Sequence, residues 1–217
     1  MKVILFGATG MIGQGVLREC LLAPDVESVL SVGRTPTGQR HDKLRELVHR
    51  DFADFSPIEA ELSGLDACFF CLGVSSAGLS ESEYRRVTYD FTLAAARALA
   101  ARNPELTFAY VSGQGTNPDG RAMWARVKGE TENALLAMPF QAYMLRPGFI
   151  QPLHGARSRT RAYRVLYVAL TPLLSLARRL FPSQVTTTEQ IGTAMLQLAR
   201  HGAPERVLSP AAINSMK

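Results

Sequence analysis

The chain has 217 residues, of which 47% are hydrophobic and 20% charged, with a net charge of +5. That balance suits one globular domain with a full core and excludes a disordered chain. Three cysteines, few and odd in number, argue against a disulfide framework and for a reducing compartment. The charge is uneven. Residues 1–133 hold 14 Lys/Arg against 17 Asp/Glu, whereas residues 134–217 hold 10 Lys/Arg against only Glu189 and Glu205. A basic C-terminal third suits an anionic ligand, a phosphate or a membrane surface, and equally a solvated arginine-rich face.

The elements alternate in chain order. KVILFG, residues 2–7, is a short apolar run ending on glycine, which predicts a buried strand. Its four apolar residues are too few for the hydrophobic region of a secretory signal. From Met11 to Leu22, Ile12, Val16, Leu17, Cys20 and Leu21 recur at helical spacing, and Pro24 stops the run. VESVLSVGR (26–34), LVHRDF (47–52) and LDACFFCLG (65–73) predict the next three strands. A helix rich in Ala and Leu follows over 81–102, ended by Asn103-Pro104. LTFAYVSG (106–113) predicts a fifth strand, 121–138 a helix, and FQAYMLRPG (140–148) a sixth strand. This alternation predicts an α/β fold: a doubly wound parallel sheet of the Rossmann type, with helices on both faces.

After Gly148 the pattern changes. Four arginines, Arg157, Arg159, Arg161 and Arg164, precede an apolar stretch that ends in basic residues at Arg178 and Arg179. The segment 157–181 reads as a lid, a homodimer face or a membrane-surface helix, and Pro172 would kink it. No recognised nucleic-acid motif appears, and no apolar run reaches the roughly 18 residues of a membrane span. TTTEQIGTAMLQLARHG (186–202) predicts a closing helix with threonine caps and Gly202 as its stop, and ERVLS (205–209) an edge strand. The expected organisation is one domain, 1–217, with a dinucleotide-binding core over 1–150 and a C-terminal segment, 151–217, covering the cleft.

GATGMIG, Gly7 to Gly13, lies directly between the first strand and the first helix. A tight turn there, and close backbone approach to a pyrophosphate, both need residues without a side chain. The helix N-terminus offers free N–H groups and a positive dipole end. Gly7, Thr9, Gly10, Met11, Ile12 and Gly13 are therefore candidate cofactor-binding residues. Arg34 ends the second strand, 21 residues after Gly13, and no acid occurs between Glu27 and Asp42. An NAD site usually has an acid at about this distance, whereas guanidinium matches a 2′-phosphate. The sequence thus predicts NADP(H) over NAD(H), with Arg40 as a second phosphate contact. Cys68 and Cys71 match C-x-x-C but lie inside a strand-like run, where positions three apart face opposite sides. The scattered histidines show no metal-ligand spacing, so no metal site is expected.

The glycine cradle, Asp51-Phe52 after the third strand, CLG after the fourth, SG after the fifth, W-x-x-x-K and RPG after the sixth together resemble a short-chain dehydrogenase/reductase. GATGMIG and LRPG are similar to its atypical and extended branch, which includes NAD-dependent epimerase/dehydratase-like proteins. VKGETE and CLG resemble the NmrA-like and Tat-interacting-protein-like members. The resemblance implies that Asp51 and Phe52 border the adenine and that Leu72 and Gly73 line its ribose and the pyrophosphate. It implies that Lys128 bonds the nicotinamide ribose, that Pro147 and Gly148 pass beside the nicotinamide, and that Ser112 is the catalytic serine.

Trp124 departs from the family. It stands four residues before Lys128, where the resemblance implies a proton-exchanging tyrosine. Indole is a donor only and does not ionise in the accessible range. Acid–base catalysis is worth about 10² to 10⁴ in rate, so the change matters. Three readings follow: an oxidoreductase or epimerase acting on a small molecule with another proton donor, an NADPH-sensing regulator or partner-binding protein, and a tryptophan that merely packs. A cytoplasmic protein is expected.

Overall fold

The computed structural model describes residues 1–157 and 183–216. In chain order its elements are β1 (Lys2–Phe6), α1 (Met11–Leu22), β2 (Ser28–Gly33), β3 (Leu44–Val48), a 3₁₀ segment (Ser56–Leu62) and β4 (Ala67–Phe70). Then come α2 (Glu81–Arg85), a π-helical turn (Arg86–Asp90), α3 (Phe91–Ala100), β5 (Thr107–Val111), α4 (Met123–Leu136) and β6 (Gln141–Leu145). The described chain closes with β7 (Phe149–Gln151), β8 (Val185–Thr187), α5 (Thr188–His201), β9 (Val207–Leu208) and α6 (Pro210–Ser215).

Among the described residues, seven strands form one sheet in the order β3-β2-β1-β4-β5-β6-β9, every pair parallel. The order runs outward from β1 in both directions, so the loops after β1 and β4 diverge and leave a crevice at the sheet's carboxyl edge. Successive side chains divide the core. Val3 and Leu5 pack with Val16, Leu17 and Cys20 of α1 and with Ile191, Met195 and Leu198 of α5. Ile4 and Phe6 point the other way, toward Phe70, Phe108, Leu99 and Leu135. The central strands are buried on both faces, which is why β1 and β4 read as unbroken apolar runs.

Three expectations shift. The third strand lies at 44–48 rather than 47–52. His49, Phe52 and Phe55 are buried, but as an aromatic plug around Phe6 rather than as strand residues. The helix expected over 81–102 contains the π-helical turn. The threonines at 186–187 belong to β8, which pairs in parallel with β7 in a separate two-stranded sheet. The arginine cluster beyond Arg157 and the apolar stretch 165–181 lie outside the described residues, so the expectations for them concern no described structure.

Candidate functional site

The glycine loop is shaped by backbone contact. Gly7 has φ +81°, and a β-carbon on it would lie 2.6 Å from the Leu72 nitrogen. A β-carbon on Gly13 would lie 2.1 Å from the Gly7 carbonyl oxygen. Both glycines are therefore fixed by the fold. The middle glycine is freer, with its nearest such contact at 3.3 Å, and it caps α1 without any side-chain hydrogen bond. By contrast Ser80, Thr187 and Ser209 cap α2, α5 and α6 through their side chains. No acid occupies the first turn of α1. An uncapped, glycine-lined N-terminus of a twelve-residue helix at the crevice suits a pyrophosphate, so the residues present fit a dinucleotide.

Beside the glycine loop lies a narrow cleft lined by Gly7, Ala8, Thr9, Ser31, Gly33, Arg34, Thr35, Phe52 and Leu72. Arg34, Phe52, Leu72 and the glycine loop are thus brought together as the sequence suggested. Arg34 is exposed, and among the described residues no carboxylate pairs with it. Glu46 on β3 is engaged elsewhere, accepting from the Thr37 backbone at 2.5 Å. Asp51 is exposed and accepts from the Ala53 N–H at 3.0 Å, while Gly73 is exposed just past Leu72. Arg40 does not line this cleft, and its neighbour Gln39 lines a second pocket with Gln14, Arg18 and His154.

At the other end, β5 and β6 present Ser112 and Pro147-Gly148. The Ser112 N–H donates to the Leu145 carbonyl at 2.8 Å, and its hydroxyl pairs with that of Thr116 at 3.0 Å. The Gln114 N–H donates to the Pro147 carbonyl at 3.0 Å. Trp124 opens α4, partly exposed, with its indole edge against Gly115, whose added β-carbon would lie 3.3 Å from Cη2. It therefore packs on the loop that carries Ser112.

Lys128 lies one turn along α4. Its ammonium donates to the Val111 carbonyl at 3.2 Å and sits 5.2 Å from the Tyr110 ring centre. Burial lowers its pKa to about 8, and the Glu132 carboxylate opposes this only in part. Glu132 is 2% exposed and is gripped by Arg146, whose Nε donates to both carboxylate oxygens at 3.0 and 3.2 Å. Arg146, the arginine of LRPG, thus serves α4 rather than the cleft.

The tyrosines among the described residues are buried or engaged by neighbouring groups. Tyr84 and Tyr110 are buried, and burial raises both phenols. Tyr89 stacks under Arg85, and the Tyr143 hydroxyl accepts from the Ala203 N–H. Cys68 and Cys71 face opposite cores, and burial raises both thiols. No cluster suited to a metal occurs among the described residues.

Sequence reasoning missed Gln14, directly after the cradle. Its amide donates to the carbonyls of Thr9 and Arg157, both at 3.0 Å, and accepts from the Arg157 N–H at 3.1 Å. It ties the glycine loop to a segment 143 residues away, a link no local pattern signals.

The pattern of the NAD dependent epimerase/dehydratase family matches residues 3–145. The chain belongs to this family. It is 30% identical over 165 residues to Protein FMP52, mitochondrial, of Saccharomyces cerevisiae, covering 74% of this chain and 69% of that one. It is 27% identical over 214 residues to Protein FMP52-2, mitochondrial, of Scheffersomyces stipitis, covering 95% and 90%. The fold matches UDP-glucuronic acid 4-epimerase from Bacillus cereus in complex with NAD, with TM-score 0.68 and 14% identity over 96% of this chain and 76% of that one. It matches the PhqB reductase domain from Penicillium fellutanum equally, with TM-score 0.68 and 18% identity over 96% of this chain and 66% of that one. The FMP52 names overturn the expectation of a cytoplasmic protein. Sparse cysteines mark a reducing interior, and that does not separate cytoplasm from organelle.

Proposed function

We propose that this protein binds NADP(H) and uses it as an oxidoreductase or epimerase on a small molecule. The observation that carries the cofactor choice is Arg34, exposed and unpaired in the cleft with Gly7, Thr9, Phe52 and Leu72. The cradle from Gly7 to Gly13 would hold the pyrophosphate, Asp51 and Phe52 the adenine, and Leu72 and Gly73 the ribose next to it. Lys128, Pro147 and Gly148 would flank the nicotinamide, with Ser112 bonding the substrate oxygen. The bound cofactor supplies or accepts a hydride. We assign the chain to the compartment of its FMP52 relatives, the mitochondrion, so a tagged copy in yeast should sediment with mitochondria.

Trp124 is the single tryptophan, and its fluorescence reports on the nicotinamide end. Titration with NADPH and with NADH should give saturable quenching by both, tighter with NADPH. Charge-assisted contacts are worth about 1.5–3 kcal/mol, so Arg34→Ala should weaken NADPH binding roughly 10- to 100-fold and leave NADH nearly unchanged. Equal loss for both cofactors would remove the 2′-phosphate assignment. No binding of either would remove the reading itself.

Trp124 favours a second reading, a cofactor-dependent regulator. It requires a partner that distinguishes apo from NADPH-loaded protein, and equal affinity for the two forms would end it.

A further inference from the structure

A carbonyl reductase must put a proton on the oxygen as hydride reaches the carbon. Here the usual phenol position holds Trp124, and every tyrosine among the described residues is buried or engaged away from the cleft. Ser112 keeps its hydroxyl on Thr116 and has no base beside it among the described residues. Among the described residues, the amine of Lys128 is an ionisable group at this end of the sheet that no carboxylate pairs directly. It reaches the last carbonyl of β5, Val111, immediately before Ser112 in the chain.

We propose that Lys128 is itself the proton-transfer residue, and that the Glu132–Arg146 pair tunes it. This rests on the NADP(H)-dependent redox reading above. In the reducing direction the carbonyl carbon gains hydride from the reduced nicotinamide, and the carbonyl π electrons move to oxygen. The oxygen takes a proton from the Lys128 ammonium, which becomes a neutral amine and is reprotonated by solvent. The oxidising direction runs in reverse, with the neutral amine as base.

The surroundings make this amine different from a surface lysine. Tyr110 of β5 covers it with a ring that stays neutral, since burial raises that phenol. Tyr84 of α2 is neutral as well, since burial raises its phenol too. Among the described residues, Glu132 of α4 is the carboxylate acting on it, and Arg146 at the end of β6 holds that carboxylate in a forked contact. An ammonium next to a free buried carboxylate would be held charged. With the carboxylate committed to a guanidinium, burial prevails and the amine titrates near 8. A proton donor works best when its pKa lies near the working pH.

The test reads the amine directly. In protein labelled with carbon-13 at lysine Cε, the Lys128 resonance, assigned by its loss in Lys128→Arg, should titrate near pH 8 in the absence of cofactor. Lys2, Lys43 and Lys217 are internal references. Glu132→Gln should move that midpoint down, because lost attraction and a stranded Arg146 act in the same direction. With NADPH and a panel of aldehydes and ketones, reduction should fall as pH rises through the same midpoint, and oxidation of the alcohol should rise through it. Lys128→Ala should lose about 10²-fold or more in turnover and regain part of it with added ethylamine, which a purely structural lysine would not do. A Lys128 midpoint above about 10, or turnover of Lys128→Ala indifferent to amines, overturns the proposal. So does NADPH binding without turnover of any carbonyl. Absence of NADPH binding in the Trp124 titration would instead bring down the underlying reading, so the two failures are separable.

Discussion

At the scale of single residues, the motif WARVKGE mixes chemistry and packing. Lys128 reaches the end of β5 and Trp124 packs on the loop that follows it, but Gly129 is there for another reason. A β-carbon on it would lie 2.3 Å from the Pro118 nitrogen, so α4 presses against the loop that follows β5. Gly to Ala inside a helix ordinarily gains up to about 1 kcal/mol. Here the sign should reverse. Gly129→Ala should destabilise by roughly 1–3 kcal/mol through overpacking, read as a lower urea midpoint with unchanged slope. A stabilised variant would mean that the Pro118 loop yields freely. The family glycine is thus legible in the sequence while its cause is not, because Pro118 lies eleven positions away along the chain. The same holds for Glu132 and Arg146. Both sit beside motif residues, and only folding brings α4 against the end of β6 and joins them. Gly7, Gly13, Arg34 and Leu72 were legible because one strand–turn–helix unit and its immediate neighbours place them.

At the scale of elements, the parallel core followed from period and punctuation. The errors came where burial and strand pairing part company. LVHRDF reads as a strand because it carries Leu, Val, His and Phe. The sheet instead takes Leu44–Val48, an edge strand whose burial is only partial. His49 and Phe52 bury themselves in the aromatic plug beneath the cleft that Arg34 lines. The β7–β8 pair was hidden for another reason: its partners are three residues each and lie 36 apart in register. TTTEQ signals a helix cap, and that much held. Thr187 and Gln190 form a reciprocal capping box on α5. Thr187→Ala should therefore cost about 1 kcal/mol in urea unfolding. α5 packs on α1 through Ile191, Met195 and Leu198. The loss should accordingly appear in the single global transition rather than as fraying of one helix.

At the scale of the whole molecule, Lys128 couples function to stability. A half-buried lysine with a depressed pKa makes the unfolded chain bind more protons than the folded one between about pH 8 and the ordinary lysine value of 10.5. Stability from this group therefore rises with pH across that window. Below about pH 8 the folded protein carries the charged amine at full desolvation cost, on the order of 3 kcal/mol, and above 10.5 it carries none. Lys128→Met removes the titration. In the cofactor-free protein, Lys128→Met should be more stable than wild type at pH 7 by on the order of 1 to 3 kcal/mol, less whatever the Val111 contact contributes. That advantage should shrink as pH is raised from 8 toward 10.5. Urea unfolding of the pair at several pH values measures it, and because both proteins share every other titrating group, their difference isolates Lys128. A constant difference would show that the amine is solvated in the folded state and that its position at the end of β5 puts no strain on the fold. A shrinking difference would show a fold that gives up stability to keep a desolvated amine at the end of β5, as expected of a group kept for chemistry rather than packing.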